Sequence, residues 1–245
     1  MLLDAPTLAA IAALAVVAAI VSGMSGFGTG VILAAALVPL IGVKAVIPVL
    51  AVAGIIINGG RFWFYRAHID RRTLVLVLAT SLPFLVLGTW IYSILDARAL
   101  GIVLGLAVIA FVPLRRMLHS RKVVLGATGL AVGSGVFGLA TGITTGTGMI
   151  MVSLLLGSGL ATPAVLATDA MVSIVLDIAK AALFQRFDLL DAAAFFTGVV
   201  IGVASIPGSA LAAWLVSRMG ARLHVMFMEA LILIGGASML WHSWR

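Results

Sequence analysis

The sequence predicts an all-α polytopic membrane protein made of two repeats, each with about four to five hydrophobic segments and each opened by a glycine-broken short helix. Of its 245 residues, 63% are hydrophobic and 9% are charged, and the mean hydropathy is +1.29. Soluble domains carry about a quarter charged residues. Several apolar stretches also have lengths close to the ~20 residues that a helix needs to cross a bilayer. We therefore expect the functional site to lie within the membrane.

Ten apolar segments are separated by charged or glycine-rich stretches. They run from 7 to 22, 28 to 41, 45 to 64, 73 to 94, 99 to 114, 123 to 140, 147 to 158, 164 to 184, 190 to 216 and 222 to 241. The second and the seventh are too short to span a bilayer upright. Each of them follows a glycine-rich stretch, at 23–30 and at 138–148. We therefore expect a broken helix at each of these two places.

The two glycine-rich stretches occupy corresponding positions in an internal duplication. A shift of 118 residues places the Gly-Thr-Gly at 28–30 on the Gly-Thr-Gly at 146–148, and further matches follow in order. This pattern predicts a first transmembrane repeat at 1–118 and a second at 119–245. Internal repeats with broken helices at matching positions are typical of secondary transporters.

The orientation of the repeats depends on how the short segments sit in the membrane. If segments 7–22 and 28–41 form a hairpin or two crossings, the repeats are inverted, whereas one interrupted crossing makes them parallel. In both cases the basic stretch 115–122 shares a side with 66–72, and the positive-inside rule assigns that side to the cytoplasm. We expect a multi-pass protein of the cell membrane, of the bacterial inner membrane type.

Composition also limits the partners of the protein. Most of the net charge of +7 lies at segment ends, where the positive-inside rule accounts for it without a nucleic-acid partner. The chain has no cysteine, so it has no disulfide and no thiolate metal ligand. It also lacks a GxxxxGK[ST] motif for ATP. We expect no cofactor and no metal; the partners are a small anionic substrate and the bilayer, and the glycine-rich faces permit a homodimer without requiring one.

The two breaks are the first candidate binding site. A helix that starts inside the membrane exposes backbone N–H groups carrying roughly half a positive charge. Glycines let an anion approach this backbone closely, and threonine hydroxyls add donors. The candidate substrate-binding residues of the breaks are Gly28, Thr29, Gly30, Thr145, Gly146, Thr147 and Gly148. The alternative is that the glycines only permit tight packing between helices.

The eighth segment carries polar residues on one helical face. Asp169, Ser173, Asp177 and Lys180 follow the spacing i, i+4, i+8, i+11 that aligns side chains along a helix. Charges within an apolar span normally face the protein interior or a water-filled cavity. Ser173 and Lys180 are therefore candidate substrate ligands. The alternative is that Lys180 only neutralises Asp177, which is three residues away.

Three acidic residues are candidates for proton coupling: Asp169, Asp177 and Glu229. Asp169 has no partner at helical spacing, and a buried carboxyl group without a partner can take up and release a proton during transport. The alternative is that Asp169 caps its helix, because "TPAVLATD" places it near the helix start. Glu229 can instead pair with Arg222 or His224.

Asn58 and Arg61 are the polar residues at the corresponding depth of the first repeat. Arg61 aligns next to Lys180, so the two cations would lie near one another around a shared anion if their helices face each other. The planar guanidinium suits the oxygens of a carboxylate, sulfonate or sulfite. The alternative is that Arg61 extends to the lipid headgroups, with Trp63 and Tyr65 as interfacial anchors.

The stretch "GMSGFGTGVILAAALVPLIG" at 23–42 and its partner "GLATGITTGTGMIMVSLLLGSGLATPAVLATD" at 138–169 resemble the sulfite exporter TauE/SafE family of membrane transporters. The similarity extends from about residue 10 to 240. This chain departs from the family pattern where Phe27 and Thr29 interrupt the glycines, and where the turn proline seen as Pro163 is absent near Lys44. The resemblance implies that the substrate is sulfite, a sulfonate or another small, mostly sulfur-containing organic anion.

The leading hypothesis is a secondary transporter for such an anion that works by alternating access, with proton coupling as an option; it is not an enzyme. One alternative is an intramembrane serine hydrolase, because residues 23–26 match G-x-S-G. Such an enzyme needs a histidine deep in a partner helix, and the four histidines here lie at charged loops or near segment ends. The other alternative is a passive anion channel.

Overall fold

The computed structural model describes residues 5–23, 29–120 and 125–216, and all regular structure in these ranges is helical. The described residues form nine α-helices and one short 3-10 turn, Arg66–His68. In chain order the helices are α1 (Ala5–Gly23), α2 (Thr29–Ile41), α3 (Val43–Tyr65), α4 (Arg71–Ile94), α5 (Ala97–Ser120), α6 (Ala127–Ile143), α7 (Gly148–Gly157), α8 (Thr162–Arg186) and α9 (Ala192–Val216).

The helices follow the predicted segments, with the largest differences at the charged junction between the two halves. Helix α5 continues to Ser120 rather than ending at 114, because the residue types that follow include arginine, leucine and methionine, which are good helix formers. Helix α6 begins at Ala127 rather than at 123, with Gly126 as its N-cap. The predicted tenth segment, 222–241, lies outside the described residues.

Two of the described helical stretches, Val43–His68 and Arg71–Ile94, are long and apolar enough to cross a membrane by themselves. Six shorter apolar helices accompany them. Helices α2 and α7 have 13 and 10 residues, which at 1.5 Å per residue extend only ~20 Å and ~15 Å. Each of these two helices therefore reaches through only part of a bilayer, as the sequence predicts.

The long helices α3 and α8 pack against each other and form a central pair, around which the other helices are arranged. Helix α9 packs on α3, and α4 packs on α8. On the outside, α1 packs against α9, and α6 packs against α4. Two clusters of buried apolar side chains fill the space between these helices. The centre of the molecule is thus the α3–α8 interface.

Helices of each half of the chain pack against helices of the other half. The 118-residue shift relates α1 to α6, α3 to α8 and α4 to α9, so the α1–α9 contact is the counterpart of the α6–α4 contact. The α3–α9 contact is likewise the counterpart of the α8–α4 contact. An exchanged arrangement is compatible with two related halves. The repeat itself, its division at 118 and 119, and the orientation of the halves stay predictions.

Glycines bring α6 and α4 into backbone contact. A Cβ atom on Gly138 would overlap the Ser81 carbonyl oxygen, and one on Gly142 would lie 2.6 Å from the Leu85 carbonyl oxygen. Small residues permit this close approach between helices in membranes. The packing role that the sequence left open for the second glycine-rich stretch therefore applies to its first part, within α6.

Two polar anchors fix the ends of α4. At its start, Asp70 accepts a hydrogen bond from the Thr73 backbone N–H at 2.8 Å, and the Asp70 N–H donates to Thr168 Oγ1 of α8 at 3.2 Å. The Thr73 N–H holds the pKa of the Asp70 carboxyl below its usual range. At its other end, the Tyr92 hydroxyl donates to the Val43 carbonyl at 3.0 Å. Helix α4 is thereby tied to both α8 and α3.

Candidate functional site

The second break lies between the end of α6 at Ile143 and the start of α7 at Gly148. Gly146 has a φ of 82°, a backbone conformation that glycine adopts without strain. Across the break, Thr141 Oγ1 and Thr147 Oγ1 are hydrogen-bonded at 2.8 Å. The predicted interruption is therefore present, and its threonines hold the two half-helices together.

Helix α2, which follows the glycine-rich stretch 23–30, contacts the second break. A Cβ atom on Gly30, in the first turn of α2, would overlap Thr145 Oγ1 and would lie 3.6 Å from the Gly146 backbone nitrogen. The start of α2 therefore lies against the second break. Gly28 lies outside the described residues, and of Thr29 only the backbone, at the start of α2, is described.

A hydrogen-bonded chain of four side chains links α3 to α8. Arg61 Nη2 donates to Asp169 Oδ2 at 2.5 Å and to Asn58 Oδ1 at 3.0 Å. Asn58 Nδ2 in turn donates to Asp177 Oδ2 at 3.3 Å. The Asp177 carboxylate lies over Gly54 of α3, where a Cβ atom would collide with it. The small residue and the amide on α3 therefore make room for the acids of α8.

The predicted capping role of Asp169 is wrong. Helix α8 begins at Thr162 with Ala161 as its N-cap residue, so Asp169 lies two turns inside the helix. Its side chain is 1% exposed and forms an ion pair with Arg61. The interfacial alternative for Arg61 also fails, because its guanidinium points inward to this carboxylate and not to the headgroups. Trp63, by contrast, is 64% exposed.

Two polar atoms of the ion pair have no hydrogen-bond partner within the described part of the chain. They are Arg61 Nε and Asp169 Oδ1, and both atoms are buried. A buried donor and a buried acceptor left open each cost about 1–3 kcal/mol. The pair therefore keeps one donor and one acceptor free for a ligand or a proton.

Lys180 is buried, and its partner differs from the one that helical spacing suggested. The ammonium Nζ donates to the Thr141 backbone carbonyl near the end of α6 at 2.9 Å. The described contacts include no ion pair between Asp177 and Lys180, although the two charges interact electrostatically. A cation at a helix C-terminus is favourable, and an ammonium has three donors. Lys180 therefore supports the break and retains donors for a ligand.

One cavity of about 690 Å³ collects these elements. The predicted residues that line it are Gly30, Asn58, Arg61, Thr145, Gly146, Thr147, Gly148, Asp169, Ser173, Asp177 and Lys180. Arg61 and Lys180 share this cavity, but Arg61 binds Asp169, which lies eleven residues or ~16 Å of helix from Lys180. The two cations therefore have different hydrogen-bond partners, Asp169 for Arg61 and the Thr141 carbonyl for Lys180, and an anion shared between them stays a prediction. Glu229 lies outside the described residues.

The sequence interpretation missed the apolar part of the lining and Thr141. Leu50, Ile57 and Phe64 of α3 all line the cavity and are spaced by seven residues, which places them along one helical face. This spacing, beside Asn58 and Arg61, was the available signal. Among the described residues, no group of three or more histidine, aspartate or glutamate side chains lies close enough to hold a metal ion.

Comparison with known proteins gives one result. A family model described as "Sulfite exporter TauE/SafE" matches residues 11–239, which is nearly the whole chain. No match was found among curated proteins or among solved structures.

Proposed function

Because the chain belongs to the sulfite exporter TauE/SafE family of membrane transporters, we propose that it carries a small organic or sulfur-containing anion, of the sulfite or sulfonate type, across the cell membrane. The observation that carries this proposal is the meeting of the start of α2, the second break and the Lys180 ammonium at one cavity. The anion binds there between backbone N–H groups at the start of α7 and the free donors of Lys180. Helix N-termini beside glycines suit anions.

Alternating access is the transport mechanism in this proposal. The cavity lies between α3 and α8, which correspond to each other under the 118-residue shift. A rocking of the two halves about this interface would expose the cavity to each side in turn, as in other transporters built from repeats. The protein is then a multi-pass, non-enzymatic carrier, and a homodimer is compatible with it but not required.

Proton coupling follows from the charges around the cavity. Arg61, Lys180, Asp169 and Asp177 contribute two positive and two negative formal charges, so these four sum to zero. A bound monoanion would add one uncompensated buried charge, which is costly. A proton on Asp169 Oδ1 restores the balance and releases Arg61 from its ion pair. Anion and proton therefore bind together and move in the same direction.

The membrane potential sets which direction needs this coupling. Moving one elementary charge across 100 mV is worth about 2.3 kcal/mol, and the negative interior favours the exit of an anion. Uptake against this potential requires the coupled proton, whereas the membrane potential by itself supplies a driving force for the export of an anion. Asp177 and Glu229 stay alternative proton carriers in this scheme.

The experiment that tests the proposal is counterflow in proteoliposomes. Vesicles preloaded with sulfite or methanesulfonate should accumulate a trace of labelled anion from outside, and the accumulation should saturate. A passive channel would give neither counterflow nor saturation.

Ser25 lies outside the described residues and His68 is exposed, so nothing described pairs a serine with a histidine as the hydrolase alternative requires.

A further inference from the structure

The cavity is much larger than an inorganic oxyanion needs. Its volume of about 690 Å³ corresponds to about 23 water molecules at ~30 Å³ each. Cavities of roughly 300–1,000 Å³ are typical of sites that enclose organic ligands of many atoms. A bound sulfite ion would leave most of this space to water.

Helix α3 contributes both polar and apolar groups to the cavity: Asn58 and Arg61 donate hydrogen bonds to the acids of α8, and an apolar stripe lies beside them. We define the α3 stripe as Leu50, Ile57 and Phe64, which all line the cavity. Fourteen residues separate its ends, which is ~21 Å of helix. Leu176 of α8 and Ile206 of α9 add further apolar lining. A ligand bound here can therefore contact apolar surface on α3, α8 and α9 as well as the polar groups.

The apolar stripe runs from the interior to the outer surface of the protein. Leu50 is 8% exposed, whereas Phe64 is 82% exposed, and Ile206, which also lines the cavity, is 54% exposed. Exposed apolar side chains at membrane depth are compatible with lipid contact. The cavity thus extends from Lys180 at its inner end, past the Arg61–Asp169 ion pair, to exposed apolar side chains at its outer end.

From this geometry we infer that the substrate is an amphipathic organic oxyanion, with its charged head at Lys180 and the start of α7 and an apolar body along the α3 stripe. This inference rests on the proposed function and narrows its substrate class. The head satisfies the free donors at the inner end. The body displaces water from apolar surface, which an inorganic anion cannot do, and each buried methylene is worth about 0.8 kcal/mol.

The test measures the Kd of methane-, propane- and pentanesulfonate, and of sulfite, by calorimetry on the full chain in lipid nanodiscs, with empty nanodiscs as the blank. The Kd should fall by about fourfold for each added methylene, so pentanesulfonate binds most tightly. Pentanesulfonamide, which has the same body without the charge, should not bind measurably. Equal Kd values for all the anions would overturn the inference and leave the anion site standing. Absence of binding by every anion would instead overturn the proposed function.

Two neighbouring glycines provide a matched pair of variants that locates the effect. Gly60 lines the cavity, Gly59 does not, and a Cβ atom on either would meet no atom within 4 Å. In Gly60→Leu the new side chain enters the cavity beside the α3 stripe, so the dependence of Kd on chain length should flatten while sulfite affinity is kept. Gly59→Leu should retain the full dependence. An unchanged dependence in a folded Gly60→Leu protein would contradict the placement of the body.

Discussion

At the scale of single residues, the proposed proton coupling depends on the Arg61–Asp169 ion pair. Burying two charges costs several kcal/mol per ion, and mutual attraction offsets this only when the remaining polar atoms are satisfied. Asn58 satisfies part of the guanidinium, but Arg61 Nε and Asp169 Oδ1 stay open. Each partner of the pair therefore keeps one unsatisfied polar atom. In the proposed scheme, a proton takes the place of Arg61 at Asp169, or an anion takes the place of Asp169 at Arg61.

Asp169→Asn should remove the pH dependence of anion binding. The amide cannot take up a proton, and it leaves Arg61 permanently without its counter-charge. The Kd of the wild-type protein for a sulfonate should rise with pH by up to about tenfold per pH unit, the limit for one coupled proton. Calorimetry between about pH 5 and pH 8 measures the slope of log Kd against pH for the wild-type protein and for Asp169→Asn.

Asp177→Asn is the matched control for Asp169→Asn. Asp177 accepts a hydrogen bond from Asn58, whereas the ion pair of Arg61 is with Asp169, so replacement of Asp177 should keep the wild-type slope. If Asp177→Asn abolished the slope and Asp169→Asn kept it, Asp177 would be the coupling carboxylate. Wild-type binding that did not change with pH would exclude coupled binding of a proton altogether.

Lys180→Met should weaken anion binding because it removes the ammonium at the inner end of the cavity. A hydrogen bond to a charged group contributes about 1.5–3 kcal/mol, so the Kd should rise by roughly 10- to 150-fold. Lys44→Met, at an exposed position early in α3, is the control and should leave the Kd unchanged. If Lys180→Met lowered the thermal stability without changing the Kd, Lys180 would serve only to support the break and balance Asp177.

At the scale of helices, the glycines of the second glycine-rich stretch have two separate roles. Gly138 and Gly142 belong to α6 and pack on the α4 backbone, whereas Gly146 and Gly148 belong to the break and line the cavity. A Cβ atom on Gly148 would meet no atom within 4 Å. The packing interpretation of the sequence therefore applies to Gly138 and Gly142, whereas the binding interpretation stays a prediction for Gly146 and Gly148.

Gly138→Ala should destabilise the protein. Its new methyl group would overlap the Ser81 backbone, so α4 and α6 would have to separate, at a cost of about 1–3 kcal/mol. Gly129→Ala is the control in the same helix, because its Cβ would meet only the Leu125 side chain. Thermal unfolding in detergent should show a lower Tm for Gly138→Ala alone. Equal Tm values for the two variants would contradict the close contact of α4 and α6.

Asp70→Ala should destabilise the start of α4 by about 1 kcal/mol, the usual contribution of an N-cap side chain. Because the pKa of Asp70 is lowered in the folded protein, its contribution is present above the unfolded pKa and is lost as the pH falls through the folded pKa. Wild type and Asp70→Ala should therefore differ in Tm at neutral pH and converge in acid. Asp70→Asn accepts the same bond without titrating, so its Tm relative to Asp70→Ala should not change with pH.

Hydropathy and glycine clusters predicted the helices and the second break, because both are local properties of the chain. They could not predict that Arg61 pairs with Asp169, since the two residues are 108 positions apart and no helical spacing relates them. The sequence could not predict the contact of Lys180 with the Thr141 carbonyl for the same reason. Residue type identified the polar positions of the site, whereas only packing identified their partners.

At the scale of the whole molecule, the protein combines a central pair of long helices, at least one broken helix and a cavity whose four charged side chains have formal charges that sum to zero. The exchanged contacts of α1 with α9 and of α6 with α4 are compatible with two related halves that move against each other. The proposed function requires that an anion binds in this cavity, at the start of α7.

Thermal stabilisation of the purified protein by anions tests this claim most directly. A ligand that binds only the folded state at 100 times its Kd stabilises it by about 2.7 kcal/mol, so the Tm should rise with anion concentration and saturate. The panel contains sulfite, sulfate, sulfonates and short carboxylates, measured across the pH range used for the coupling variants. We expect saturable stabilisation by sulfite or a sulfonate, reduced in Lys180→Met; no stabilisation by any anion at any pH would contradict the binding of an anion in this cavity.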